Sequence, residues 1–182
     1  MFILASKSPR RKELLKQIIS DFTIIPSNVD EFKYSLDKLS LVKALEIAKD
    51  YPNDIIISAD TIVILNDKVF GKPQSKEEAF KMLSELSNKM HEVKTIYTIF
   101  CEKLDISHTN VITSKVYFNA LSNDLIESYI ASGSPLDKAG AYCVQDNDKY
   151  HIIDHIEGSY TNIVGLPVDE LKKDLLTLGL IA

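Results

Sequence analysis

Two adjacent arginines, Arg10 and Arg11, follow the hydroxyls of Ser6 and Ser8 in the stretch LASKSPRR. A helical pattern starts there, and cations in a first turn are disfavoured by roughly 0.3–1 kcal/mol each. Small hydroxyl residues at a strand-to-helix turn present free backbone N–H groups, and a bound phosphate reverses the sign of that electrostatic term. The plain alternative is a capped helix with two solvated arginines. Negative charge comes from elsewhere in the chain. Asp60 closes a run of isoleucines in DIIISAD, at a strand end of the kind where ligand sites of α/β sheets gather. A carboxylate there serves as a divalent-cation ligand or a general base. Asp30 and Glu31 form a loop pair that is ordinarily just solvated; the alternative is a metal ligand working with Asp60. Lys72, between Gly71 and Pro73, suits a phosphate as a point charge. In GSPLDKAGAYCVQD, Lys138 and Gln145 are polar groups able to read a base edge, and Gly133 and Gly140 permit close ligand approach.

The elements that must position these residues alternate between strand and helix. FILA reads as a short buried strand, and PRRKELLKQII as a helix with Leu14, Leu15, Ile18 and Ile19 on one face. Ser8 is its expected cap and Pro9 its first residue. FTIIP is a strand ended by Pro26. DKLSLVKALEIAKDY is a second helix, with Leu41, Leu45 and Ala48 in register and Asp37 as the N-cap. DIIISAD is a buried central strand, and TIVILNDKVFG continues as a hairpin turning at Asn66 and Asp67. Ser75 and Glu78 form a capping box for a third helix. A second hairpin turns around Asp105. SNDLIESYIAS is a helix capped by Ser122 and closed by Gly133, followed by a loop and two strand-like pieces. GSYTNIVGLP is a short turn or helix with a packing role, and VDELKKDLLTLGL is a last helix stopped by Gly179. The expected fold class is α/β, an elongated mixed β-sheet flanked by helices. No linker composition interrupts residues 1–182, so a single domain with two lobes around a central cleft is expected.

Bulk properties exclude several classes. The 182 residues are 45% hydrophobic and 26% charged, ordinary values for a globular chain. A net charge of −5 argues against a general nucleic-acid binder, while leaving room for a small anion in a local basic pocket. Cys101 and Cys143 match neither a metal spacing nor a secreted disulfide framework. His151 and His155 are four apart but fall in strand-like sequence, which gives a zinc site little support. There is no signal-peptide pattern and no apolar run of the roughly 20 residues that cross a bilayer. A cytoplasmic protein with no membrane or nucleic-acid partner is expected.

Taken together, LASKSPRR, SADTIV, GKP, SPLDKAGAY and GSYTNIVGLP resemble the Maf family of nucleoside triphosphate pyrophosphatases, nearly end to end. The resemblance implies an inosine triphosphatase-like fold of the Maf/Ham1 type. It also implies hydrolysis of a nucleoside triphosphate to the monophosphate and pyrophosphate, with Mg²⁺ or Mn²⁺ as cofactor. Carried over by position, Ser6, Arg10 and Arg11 hold substrate phosphates, and Glu31 helps with the metal. Lys49, in EIAKD, is a helix lysine facing the site. Asp60 is the proton acceptor and a metal ligand, and Lys72 is the KP lysine. Arg10, Thr61 and Gln145 match the positions that mark the dTTP/UTP group, and KAGAYCVQD, with Lys138, is similar to that group's KAGAYGIQG. The chain departs from the family pattern at Asp146 and Asp148, which replace glycines, and at Ala44 and Asn88; the loop after Gln145 is one residue longer. A 7-methyl-GTP pyrophosphatase and a nucleotide-sensing regulator of septum formation acting by binding are the other readings. The oligomeric state stays open, a homodimer included.

Overall fold

A computed structural model describes residues 1–182. Strand β1 (Phe2–Leu4) lies between β2 (Thr23–Ile24) and β3 (Ile55–Leu65), parallel to both, with Leu4 opposite Ile24 and Ile57. Helices α1 (Pro9–Leu15) and α2 (Leu36–Ala48) fall in the two connections, as parallel pairing requires. β4 (Lys68–Phe70) folds back on β3 through Asn66 and Asp67, both at positive φ, the conformation a tight hairpin with right-handed twist demands. β5 (Met90–Cys101) and β6 (Ile106–Phe118) turn at Asp105, also at positive φ, and β7 (Ile153–Glu157) pairs antiparallel with β6. The strand order is β2-β1-β3-β5-β6-β7, with β4 on β3. Helices α3 (Lys76–Leu86), α4 (Asn123–Ala131), α5 (Asn147–Tyr150), α6 (Tyr160–Val164) and α7 (Val168–Thr177) complete the mixed α/β fold. No helix is long and apolar enough to cross a membrane.

The chain forms two compact units. The first comprises Met1–Asp60, Thr95–Ile112 and Gly165–Ala182. Its core sets Ala44, Ile47 and Ala48 of α2 against Ile3, Ala5 and Ile56, with Ile25 and Phe100 at the margin. This corrects the expected inner face of α2. Leu41 is half-buried and Leu45 exposed, while Leu39, Ser40, Lys43, Ala44, Ile47 and Ala48 point inward. The small alanines let the helix approach the strands closely, so the alanine stripe, not the leucines, faces the sheet. Ser35, not Asp37, occupies the N-cap of α2; Asp37 lies inside the first turn. Elsewhere in this unit Asp174 of α7 accepts hydrogen bonds through Oδ2 from Tyr97 Oη (2.5 Å), His108 Nε2 (2.8 Å) and Asn110 Nδ2 (3.1 Å).

The second unit comprises Thr61–Lys94 and Thr113–Val164. Here α3 packs on α4, and the expected caps form. Ser75 Oγ accepts from the Glu78 N–H (3.0 Å) and Ser122 Oγ from the Leu125 N–H (3.1 Å). The Glu78 carboxylate returns to the N–H of Gln74 (2.7 Å) instead of that of Ser75. After α4 only one strand follows, β7, where two strand-like pieces were expected. Residues Ser134–Asp137, Ala139–Ala141 and Val144–Asp146 form single 3₁₀ turns instead. Gly140 explains part of this. It sits at φ +69°, its N–H donates to Gly71 O (3.1 Å), and a Cβ there would lie 3.0 Å from Val63 Cγ2.

His91 is buried in this unit, edge-on to Phe118 and Tyr142, with Nε2 2.6 Å from Tyr142 Oη. Burial pushes its imidazole down to about 4 from the ordinary 6.5. The folded state therefore holds His91 neutral while the unfolded chain binds a proton below that ordinary value. Stability is fully present above about pH 6.5 and is lost as the pH falls towards 4, by on the order of 3 kcal/mol from this group. Urea midpoints measured from pH 7 to pH 4 should fall across that window, and His91→Gln should flatten the fall. An unchanged slope in the variant would refute the assignment to His91.

Candidate active site

The turn after β1 is built on serine hydroxyls. Ser6 Oγ accepts from the Ser8 N–H (3.2 Å), and Ser8 Oγ caps α1 by accepting from the Arg11 N–H (3.4 Å), with Pro9 next in line. α1 has only seven residues, so its backbone dipole adds little and affinity for an anion rests on the side chains. Arg11 is held from two directions. Its Nε donates to Gly165 O (2.8 Å) and its Nη1 lies 3.5 Å from Ser6 Oγ. The GSYTNIVGLP stretch, expected only to pack, thus supplies the carbonyl that aims Arg11. Burial lowers the pKa of Arg11 from its ordinary value; Asp60 and Glu31 oppose that shift and Arg10 adds to it. Arg10, Arg11, Glu31 and Asp60 therefore share one electrostatic neighbourhood.

Asp60 lies on β3, two residues after Ser58. Side chains two apart on a strand share a face, and this face meets α2. Ser58 Oγ donates to Ser40 O (2.5 Å), and Lys43 Nζ pairs with Asp60 Oδ1. Lys43 Nζ also pairs with Glu31 Oε1 at 2.6 Å. Lys43 and Asp60 are only 8% and 9% exposed, whereas Glu31 is largely exposed. A charge buried this deeply requires a partner, because desolvation costs several kcal/mol per ion. Glu31 opens the 3₁₀ turn Glu31–Lys33, which Asp30 caps through the N–H of Phe32 (3.2 Å). The acidic pair is thereby divided: Asp30 is a cap and Glu31 reaches the lysine. The preceding segment is fastened to α2 by Glu46, which accepts from the Ser27 hydroxyl and the Asn28 N–H (2.9 Å).

Lys43 is the residue that sequence reasoning missed. Lys49, the expected helix lysine, is exposed at the C-terminal end of α2. It lies about one and two-thirds turns beyond Lys43, on another face of the helix. The available signal was a lysine at a core position of the stripe Ser40, Lys43, Ala44, Ile47, where an unpaired charge is not tolerated.

The remaining expected residues lie in the second unit. Thr61 follows Asp60 on β3, so on a regular strand its side chain leaves on the opposite face. Lys72 is exposed beyond β4, and its turn adjoins the Lys138 turn through the Gly140–Gly71 hydrogen bond. Lys138 Nζ donates to Ser134 O (2.6 Å) and pairs with Asp137 Oδ1 (2.8 Å). Gln145 is exposed, its Oε1 3.6 Å from Cys143 Sγ. The fold gathers Ser6, Arg10, Arg11, Glu31, Lys43 and Asp60 in one unit, and Lys72, Lys138 and Gln145 on neighbouring turns in the other. No group of three or more His, Cys, Asp or Glu side chains is placed to hold a metal ion by itself. Asp60 Oδ2, however, is buried without a hydrogen-bond partner, leaving lone pairs available. One or two carboxylates, with phosphate oxygens and water completing the shell, is the donor set Mg²⁺ takes.

Asp60 lies midway along β3 and not at a strand end, because the strand runs on without a break into the hairpin. A mixed α/β fold with arginines in the neighbourhood of such a buried carboxylate belongs to the class of proteins with charges able to hold an anion. The fold itself is similar to that of the Ham1 protein of Staphylococcus aureus, with a TM-score of 0.56 at 16% identity over 97% of this chain and 98% of that one. The chain belongs to the Maf family: the family model described as Maf-like protein matches residues 1–178. Among similar proteins, the dTTP/UTP pyrophosphatase of Pyrococcus furiosus is 45% identical over 97% of this chain and 94% of its own length. That of Carboxydothermus hydrogenoformans is 44% identical over 97% of both.

The two lysines of α2 give a direct contrast. Lys43→Met should lower the unfolding free energy by about 3 kcal/mol, the lower end for stripping one partner from a buried pair. Lys49→Met should change it by less than about 0.5 kcal/mol, as exposed sites do. Chemical denaturation of both variants checks this, and equal losses would contradict the geometry.

Proposed function

We propose that this chain is a nucleoside triphosphate pyrophosphatase acting on dTTP and UTP, modified pyrimidine nucleotides included, in the cytoplasm. The observation that carries the reading is the Asp60–Lys43–Glu31 group with Arg11 held beside it. A carboxylate with one oxygen bound to lysine and the other free has an acceptor for a proton. Water attacks the α-phosphorus, its proton passes to Asp60, and the bond to the α,β-bridging oxygen breaks. The products are the monophosphate and pyrophosphate. Arg10, Arg11 and Lys72 offset charge as it moves onto the leaving group, with Ser6 binding beside them. Lys43 holds Asp60 and Glu31 in register and takes the helix-lysine role that the resemblance assigned to Lys49. Glu31 and Asp60 would hold Mg²⁺, or Mn²⁺, which when bound supplies further charge neutralisation on phosphate oxygens. Arg10, Thr61, Lys138 and Gln145 account for pyrimidine preference. The cations also let an acidic protein admit a polyanion.

Incubation with Mg²⁺ and a panel of dTTP, UTP, CTP, purine triphosphates and 7-methyl-GTP, read by pyrophosphate release, tests the proposal. dTTP and UTP should be the preferred substrates. Asp60→Asn should keep the folded circular dichroism spectrum and lose at least about a hundredfold in kcat, the scale of a positioned base. Near-normal turnover in that variant would remove Asp60 from its role.

A further inference from the structure

The turn that presents Gln145 is held by a carboxylate the reaction does not use. Asp146 Oδ2 accepts from Tyr129 Oη (2.6 Å) and from Ser134 Oγ (2.6 Å). Tyr129 belongs to α4 and is only 2% exposed. Its phenol oxygen has a second task, accepting the N–H of Cys143 (3.0 Å). One buried phenol therefore grips the chain on both sides of Gln145, by backbone at Cys143 and by side chain at Asp146. The Asp146 N–H closes the turn onto Cys143 O (3.0 Å), and Gln145 itself stays exposed. Ser134 links the same carboxylate to Lys138, whose ammonium donates to Ser134 O (2.6 Å). Burial and the neighbouring carboxylate push the Tyr129 phenol above its ordinary range, so it stays a protonated donor at working pH.

This arrangement has no need of the flexibility that glycine, the residue expected at this position, would bring. An aspartate with two donors fixes the turn where glycine would leave it free. We infer that Asp146 is a positioning residue for base selection: through Tyr129 and Ser134 it sets the pose in which Gln145 and Lys138 meet the pyrimidine of the substrate. The inference rests on the function proposed above, in which those two side chains contact the nucleotide.

The test is steady-state kinetics of the full chain with Mg²⁺ on dTTP, UTP and dGTP, for wild type, Asp146→Ala, Asp146→Asn and Tyr129→Phe. Asp146→Ala should raise KM for dTTP and UTP about tenfold, the loss of one to two hydrogen bonds. Its kcat should stay within about twofold of wild type, because Asp60 and its neighbours are untouched. Preference for pyrimidine over dGTP should fall with it, since only the pose of the base readers changes. Asp146→Asn keeps an acceptor for both donors and should restore most of the loss. Tyr129→Phe should reproduce the alanine phenotype, and it supplies the test if Asp146→Ala does not fold. A wild type that hydrolyses no triphosphate defeats the proposed function. An active wild type whose variants keep KM and base preference defeats the role of Asp146 alone. So does an equal fall in kcat for all three substrates that tracks a lowered Tm, since that outcome marks a purely structural aspartate.

Discussion

The buried pair between Lys43 and Asp60 is the constraint to which the first unit is built. A carboxylate this deep in a sheet must have its charge offset, and the offset comes from a helix lysine at a position that patterning reserves for apolar residues. That requirement sets the rotation of α2. Once Lys43 faces inward, Ser40, Ala44, Ile47 and Ala48 must face inward with it, and the more hydrophobic Leu45 is turned to solvent. The Ser58–Ser40 hydrogen bond and the alanine-thin contact with Ile3 and Ile56 stabilise the same rotation. Glu31 then reaches Lys43 because Glu46, on the same helix, fastens the segment before it.

The second unit solves a different problem. It must present polar groups from turns with no ladder to hold them, and it does so through left-handed glycines and side-chain hydrogen bonds. Gly140, at positive φ, fits against Val63 where a Cβ would be crowded, and its N–H ties two loops together. Tyr129 and Asp146 do the equivalent work for the turn around Gln145. Both devices fix the turn backbone through named hydrogen bonds instead of a ladder.

Much of this was legible in the chain. Ser8 and Ser122 declared their helices through local capping, which depends only on residues three apart. Asn66 and Asp67 declared the hairpin because few residue pairs accept two positive φ values. Asp60 stood out at the end of an isoleucine run. The failures were of another kind. Leu41 and Leu45 do not face the sheet and Ala44 does, because a hydrophobic pattern does not report how close a helix comes to a sheet; Lys49 rests on the resemblance alone, and the buried partner of Asp60 is Lys43. The first strand-like piece after Gly133 is a series of 3₁₀ turns because residues distant in sequence, Gly71 and Val63, decide the backbone there.

By itself the sequence determined what short-range physics controls: the alternation of strands and helices, their caps and turns, the free-thiol chemistry and the set of acids and cations from which a phosphate site can be made. Family membership follows from the same linear motifs. Tertiary structure alone decided which of those charges meet. Arg11 is aimed by the carbonyl of Gly165, 154 residues away in the chain, and Asp60 is partnered by Lys43 and not Lys49. Ion pairing and desolvation act across a few ångströms of space whatever the separation in sequence, so only the folded backbone could choose the partners.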